Sequence, residues 1–357
     1  MKLLPVAPMV FFVVIASLVV ALACAGVLYQ STGARRDLKR YGHLGRWIEI
    51  AHGSRLYVRL KGSGGPTVVF ESGIAASSLN WSHIQERIAQ STQTVSYDRC
   101  GLGWSSASQL PRTPASVAAE LHSMLKTARI EPPYILVGHS FGGLVMRRFA
   151  LSYPNEVAGL VLVDPMRLEE WPPFNPSKQA MLDRGERLAR IAIPIARLGI
   201  ARLGVTSLLC RKDRIWERLA RIGGDGAQHV MGRIAEEMGK MPREVWPIMA
   251  AYWSRPAFYA GVCRHLADVP KTVREMRFAA PIQEIPITVF TPAGVEPLTQ
   301  EQIGRIGDKV EQAIAPRCAH WIHLDQPEMV IDAILRMADE TRDEAAVLAG
   351  PRRGQDL

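Results

Sequence analysis

The sequence predicts an α/β fold with a mostly parallel central sheet, helices on both faces and an inserted helical cap, preceded by one transmembrane helix. Three observations predict it. From residue 67 onward, short apolar runs alternate with helical stretches, the pattern of parallel strands joined by crossover helices. That alternation stops over residues 165–281, where only helical segments appear, and then resumes. Finally, no charged residue occurs between Lys2 and Arg35.

Residues 5–29 are read as a transmembrane anchor, because about 20 apolar residues at 1.5 Å each span a bilayer. A cleaved signal has a shorter apolar region, of roughly 7–15 residues. Ala21-Leu22-Ala23-Cys24 weakly resembles a lipoprotein cleavage site, although Ala21 and Leu22 are poor choices there. Arg35, Arg36, Lys39 and Arg40 follow the span, and only Lys2 and the amino group precede it. That bias favours a cytoplasmic body.

Residues 30–45 read as a polar linker. Residues 46–50 and 56–60 alternate apolar and polar around His52-Gly53-Ser54, which predicts a β-hairpin. Residues 67–70 (TVVF), 92–97, 134–138 (YILVG) and 159–163 (GLVLV) read as strands. Thr113 with Pro114 starts a helix, and 141–152 form another. The cap is rich in Arg, Leu, Met and Trp, as in 187–204 and 214–224. A segment this long is too large for a loop and suits a lid over the carboxyl edge of the sheet. Residues 287–290 resume the sheet, Thr299 starts a helix, and Pro327 starts the last one. The expected boundaries are a core of 46–164 and 282–340, a cap of 165–281 and a flexible tail of 341–357.

Composition narrows the function classes. Apolar residues make up 48% and charged residues 22%, as in a globular chain with a large core. The net charge is +9, carried mostly by scattered arginines, and no nucleic-acid motif accompanies it. Nucleic acid is therefore not an expected partner. Cys24, Cys100, Cys210, Cys263 and Cys318 are odd in number and none are paired as C-x-x-C, which argues against a disulfide framework or a zinc site.

The chemistry is carried by Gly138-His139-Ser140-Phe141-Gly142. It fits G-x-S-x-G, with an apolar strand directly before it and an apolar helix directly after it. The turn needs glycines because flanking side chains would collide, and it lifts the Ser140 hydroxyl toward a reacting atom. A serine needs a base. Cys318-Ala319-His320-Trp321-Ile322-His323 supplies His320, with His323 as competitor. His323 lies nearer the last helix and is expected to make a structural hydrogen bond. No third metal ligand accompanies the two.

These residues resemble the α/β-hydrolase fold family, in the branch of serine esterases, lipases and proline iminopeptidases. The likeness spans roughly residues 47–336 and rests on four stretches: Glu71-Ser72-Gly73-Ile74, residues 97–105 (YDRCGLGWS), the Ser140 turn and the His320 segment. It implies that the amides of Ile74 and Phe141 form an oxyanion hole. Relatives usually carry His-Gly where this chain has Ser72-Gly73, a change outside the backbone donor. Relatives also place an acid after the strand that follows the cap, where only Glu296 is available, or at the end of the strand before it, where Asp164 stands. Asp164 is preferred and Glu296 is the alternative. Ser140 argues against the dehalogenases and epoxide hydrolases of this fold, which use an aspartate nucleophile.

The resulting expectation is a membrane-anchored serine hydrolase that cleaves an ester, or less readily an amide, of an apolar or lipid-like small molecule, with no cofactor or metal. An aminopeptidase of the iminopeptidase type would need cap carboxylates, for which Glu169, Glu170, Glu236 and Glu237 are candidates. A non-catalytic binding protein on the same fold is the other alternative. Arg184, Arg187, Arg190, Arg197 and Arg202 of the cap admit two readings: a solvated face, which is preferred, or a basic face at an anionic membrane.

Overall fold

In the computed structural model, residues 6–209 and 236–349 are described. Among them, eight strands form a single sheet in the order β1-β2-β4-β3-β5-β6-β7-β8. β1 (Arg46–Glu49) and β2 (Arg55–Lys61) form the expected hairpin, and β2 is also antiparallel to β4 (Thr94–Asp98). The other ladders are parallel: β4 with β3 (Thr67–Glu71), β3 with β5 (Tyr134–His139), then β6 (Val157–Val163), β7 (Ile287–Pro292) and β8 (Val310–Ala315).

The apolar runs are continuous because both faces of the sheet are covered. Along β5, Tyr134 and Leu136 point to one core and Ile135 and Val137 to the other, as the two-residue period of a strand requires. The first core is closed by α3 (Pro114–Thr127) and α4 (Phe141–Ser152), through residues such as Leu121, Val145 and Phe149. The second is closed by α2 (Ser82–Ile88) and the last helix, through Ile84, Ile88, Val330 and Ile334. Thr113 occupies the N-cap of α3 with Pro114 at its first position, although its side chain makes no capping bond.

No strand occurs among the described residues of the cap. Its helices are α5 (Pro176–Arg197), α6 (Ile200–Leu209), α7 (Trp246–Trp253), α8 (Pro256–Ala267) and α9 (Val269–Arg277). The helical reading of 214–224 lies outside the described residues. Met238, Met241, Ile248 and Tyr252 pack with Trp104 and Leu79 of the core, so the cap has its own apolar contact with the sheet's upper loops.

Three expectations are corrected. Residues 30–45 are no extended linker: α1 runs unbroken over Val6–Tyr41, followed by a short 3-10 turn, Gly42–Leu44. The polar residues there continue the helix because one face of it packs on the cap. Residues 341–349 are no loose tail, since the final helix, α12, covers Pro327–Ala349; residues 350–357 lie outside the described residues. The strand β8 was not expected. Its sequence, VEQAIA, sits half-exposed beside β7 and is paired on one side only, so it lacks the apolar signal of the inner strands. The helix α10 (Gln300–Ile306) starts as expected at Thr299, which forms a capping box with Gln302.

Candidate active site

β5 ends at His139 and α4 begins at Phe141, leaving Ser140 alone in the turn with φ +54° and ψ −119°. A non-glycine residue held there stores about 1–3 kcal/mol. The surroundings impose it. Ser140 N–H donates to Val163 O at 3.1 Å, and Ser140 O accepts from Gly143 N at 3.0 Å and Met166 N at 3.1 Å. The flanking glycines answer to contact distances. A Cβ on Gly138 would lie 2.6 Å from Gly142 O, and one on Gly142 would lie 2.5 Å from Glu71 O. The helix is thereby drawn down onto the ends of β3 and β5.

His320 lies in the loop before α11 (Ile322–Asp325) and is joined through Nδ1 to Asp164 Oδ2 at 2.7 Å. Asp164 follows β6 with φ +41°, and its N–H donates to Phe290 O at 2.9 Å, which ties it to β7. Glu296 is exposed on the loop after β7, its carbonyl accepting from Arg167 Nη2 at 2.5 Å, and His320 has no described contact with it. His139 Nε2 donates to the His320 carbonyl at 2.9 Å, and the two rings lie 4.5 Å apart. The residue inside the turn thus supports the loop of the histidine.

His323 departs from expectation. It is fully buried and neither ring nitrogen has a hydrogen-bond partner among the described residues. Instead the ring packs against Trp81 at 4.5 Å and His139 at 4.4 Å. Burial pushes its imidazole down from an ordinary 6.5 to about 3, and the neighbouring His320 and Lys240 act in the same direction. His265 of α8, also buried, is held well below the usual range by desolvation and by the nearby Arg99. The consequence for stability has a definite sign. Above pH 6.5 the imidazole is neutral in both states. Below that value the unfolded chain takes up a proton that the folded chain refuses until about 3, so stability falls as pH drops through this window. Each such histidine contributes a slope of about 1.4 kcal/mol per pH unit. Urea unfolding at about pH 7.5 and about pH 5 should show this loss, and His323→Leu should make it smaller. An unchanged loss in that variant would mean that the ring is not the titrating group.

The loop after β3 is held by a buried cation. Arg99 Nη1 donates to Glu71 Oε1 at 3.0 Å and to Ser72 O at 2.7 Å, while Nη2 donates to Gly73 O. Tyr97 donates to the other oxygen of Glu71, and Ser72 Oγ donates to Ser77 O at 2.8 Å. A Cβ on Gly73 would stand 3.5 Å from Ser140 Cβ, so this loop abuts the turn. In a trans peptide the carbonyl and the next N–H point oppositely. Fixing Gly73 O on Arg99 therefore turns the Ile74 N–H away from the guanidinium. The Phe141 N–H begins α4 and, as a first-turn amide, has no partner within the helix. Arg99 also lies 5.0 Å over the Phe141 ring.

Arg99 and Glu71 carry no role legible in the sequence, because their partnership is made only when β3 and β4 pair. Both side chains are 1% exposed. Arg99→Ala would leave a buried carboxylate unpaired, and it is expected to cost about 3–5 kcal/mol. Adding Glu71→Gln should recover part of that loss in a thermal or urea melt. No recovery would mean that Arg99 acts through the carbonyls alone.

The cap meets this site from above. The Tyr252 hydroxyl of α7 bonds the Asp98 carboxylate, which also accepts from Ser78 N at 3.0 Å and Trp104 N at 3.0 Å. Burial raises the Asp98 pKa, with these bonds opposing it. The cap carboxylates are engaged: Glu169 with Arg305, Glu236 with Lys240, and Glu237 with Asn80. Glu170 lies exposed in the 3-10 turn Leu168–Glu170. A cavity of about 660 Å³ opens beside Gly143 and Pro165, between core and cap, lined by Leu144, Met166, Phe174 and Met276 among others. It adjoins the Asp164 loop without including Ser140 or His320.

Comparison with known proteins agrees with this architecture. The family model for the alpha/beta hydrolase fold matches residues 66–197. The uncharacterized protein YqjL of Bacillus subtilis (strain 168) is 39% identical over 105 residues, 29% of this chain and 42% of that protein. An AB hydrolase superfamily protein of Gibberella zeae is 32% identical over 126 residues, 33% of this chain and 39% of that one. The matched stretch thus spans less than half the length of either relative. Among solved structures, epoxide hydrolase CorEH without ligand superposes with a TM-score of 0.62 at 16% identity, covering 82% of this chain and 97% of that one. At that identity the likeness is one of fold. Its sheet order, its serine turn and these likenesses show that the chain has the α/β-hydrolase fold.

Proposed function

We propose that the chain is a membrane-anchored serine hydrolase that cleaves a carboxylic ester, less readily an amide, of an apolar substrate. The observation that carries this reading is the 2.7 Å contact of His320 Nδ1 with Asp164, in a chain that also holds Ser140 at a positive φ between strand and helix. With Nδ1–H bound to the carboxylate, Nε2 is the nitrogen left to accept a proton. His320 takes the proton of Ser140 Oγ as that oxygen attacks the substrate carbonyl. The charge formed on the carbonyl oxygen is received by the Ile74 and Phe141 amides, where one such donor is worth about 3 kcal/mol. The tetrahedral adduct collapses as His320 hands its proton to the leaving group. Water, deprotonated by the same histidine, then releases the acyl group and restores the Ser140 hydroxyl. No step draws on a cofactor.

The apolar half of α1 is the proposed anchor. The helix over residues 9–44 is long and apolar enough to cross a membrane by length and composition, and its most apolar stretch is wholly exposed. The substrate class is supported by the mostly apolar lining of the cavity beside the site, in which Arg147, Arg167 and Arg277 also stand, and by the proposed anchor. Covalent labelling by a fluorophosphonate tests the nucleophile: the modified peptide should carry Ser140, and the absence of labelling would exclude this chemistry.

A further inference from the structure

We infer that the turn joining α5 to α6 is a second membrane contact, with the side chains of Ile195, Leu198, Ile200 and Leu203 seated in the boundary region of the same bilayer that α1 enters. This rests on the reading of α1 as a membrane span. The argument begins with the level at which the cap meets that helix. Met9–Leu28 covers about 30 Å at 1.5 Å per residue, so the hydrocarbon ends near Leu28. A Cβ on Gly26 would lie 2.3 Å from Leu198 O, and one on Gly199 would lie 2.9 Å from Gly26 O. The two backbones therefore touch within the last turns of the apolar stretch. Any bilayer that accommodates α1 to Leu28 reaches Leu198 and its neighbours.

That level is locked. Gly26, Gln30, Gly33 and Asp37 lie on one face of α1, spaced four, three and four apart. Gln30 is buried; its Nε2 donates to Ser254 O at 2.9 Å, and its Oε1 accepts from Arg202 Nε at 3.0 Å. Arg202, also buried, donates through Nη1 to Asp37 at 2.6 Å. These bonds join α1 to α6 and to Ser254, the residue that caps α7, so the cap does not lift away from the anchor without breaking a buried polar network. Arg202 is thus a buried partner of α1 and not part of the solvated basic face expected for the cap.

The side chains at that level fit lipid better than water. Ile200 is 53% and Leu203 55% exposed, and Ile195 and Leu198 are exposed beside them. Apolar exposure also runs up α5 through Ile191, Leu188 and Met181, opposite a buried stripe of Leu182, Ala189 and Ala196. Exposed cations stand beside it: Arg197 in the turn itself, Arg190 farther back on α5, where it pairs with Glu186, and Arg35, Arg36, Lys39 and Arg40 on α1 beyond Leu28. Exposed apolar side chains interleaved with cations, beside a helix whose own cations begin just past its apolar stretch, are the profile of a segment lying in a membrane interface. The cap of the site would then rest on lipid, and an apolar ester would reach it without crossing water.

The test uses the full chain in vesicles of phosphatidylcholine and phosphatidylglycerol, with the native cysteines replaced. A nitroxide is attached at Ile200→Cys, Ile15→Cys or Val347→Cys, and its collisions with oxygen and with a water-soluble nickel chelate are compared. Ile15 should be lipid-like and Val347 water-like. The inference expects Ile200 to resemble Ile15, with an oxygen-to-nickel ratio several-fold above that at Val347. A water-like Ile200 beside a lipid-like Ile15 overturns this contact and leaves the anchor standing. A water-like Ile15 overturns the anchor and the inference with it. Should the cysteine-free protein not fold, a photoactivatable phospholipid applied to the unaltered chain gives the same reading. Trypsin releases residues 198–202, which should carry the cross-link. Cross-links confined to α1 would overturn the contact.

Discussion

Ser140→Ala should reduce hydrolysis by about 10⁶-fold, the loss seen when a triad nucleophile is removed. In free energy that is about 8 kcal/mol of transition-state stabilisation. Folding should hardly change. The strain at Ser140 comes from its positive φ, and alanine keeps the Cβ that generates it. Only a half-exposed hydroxyl is lost, so stability should stay within about 0.5 kcal/mol. The variant should also resist the fluorophosphonate. His320→Ala should match it, because nucleophile and base fail together, whereas His323→Ala should keep much of the rate since its ring only packs. Turnover retained without the Ser140 hydroxyl would sink the proposed mechanism. A reversed pair of histidines would reassign the base.

Asp164→Asn should lower kcat by about 10⁴-fold while Glu296→Gln loses little. The isosteric amide keeps the shape and removes the charge. A triad carboxylate holds the imidazole in the tautomer with Nδ1–H and stabilises the imidazolium formed as Ser140 attacks. An asparagine also presents an N–H where His320 needs an acceptor, which favours the wrong tautomer or a rotated ring. The basis is geometric: Asp164 is 2.7 Å from His320, while Glu296 is exposed on another loop. The variants should be compared by single-turnover and steady-state rates on a p-nitrophenyl ester. If Glu296→Gln is the crippled one, the loop after β7 must close on His320 during turnover. A loss of only a few-fold in both would mean that the His139 bond to the His320 carbonyl suffices to orient the ring.

Much of this could be read from the chain because its cause is local. The serine turn is spelled by five adjacent residues, and the collision that demands glycine at Gly138 is made within that unit, although the one at Gly142 is with Glu71 on β3. The inner strands announce themselves because burial on both faces requires continuous apolar runs, and the cap because its residues show no strand pattern. The acid was different. Asp164 directly ends a buried strand and Glu296 sits in a loop beyond one, which gives Asp164 a preference and no more. The contact of His320 with Asp164 depends on where the His320 loop lands, and that involves His139, β7 and α11 together. Arg99 and Glu71 likewise read as isolated charges, one just after β4 and one at the end of β3, until the pairing of the two strands buries them as one unit. The same holds for α1. Its apolar half was evident from composition, but the helix continues to Tyr41 because Gln30 and Asp37 meet Arg202, a residue far along the chain. β8 exists because β7 offers it a free edge. The sequence by itself determined which segments are apolar, which turn is sharp and which histidines compete. The tertiary structure alone decided which charges become partners, because a buried charge is defined by neighbours that the chain brings together only on folding.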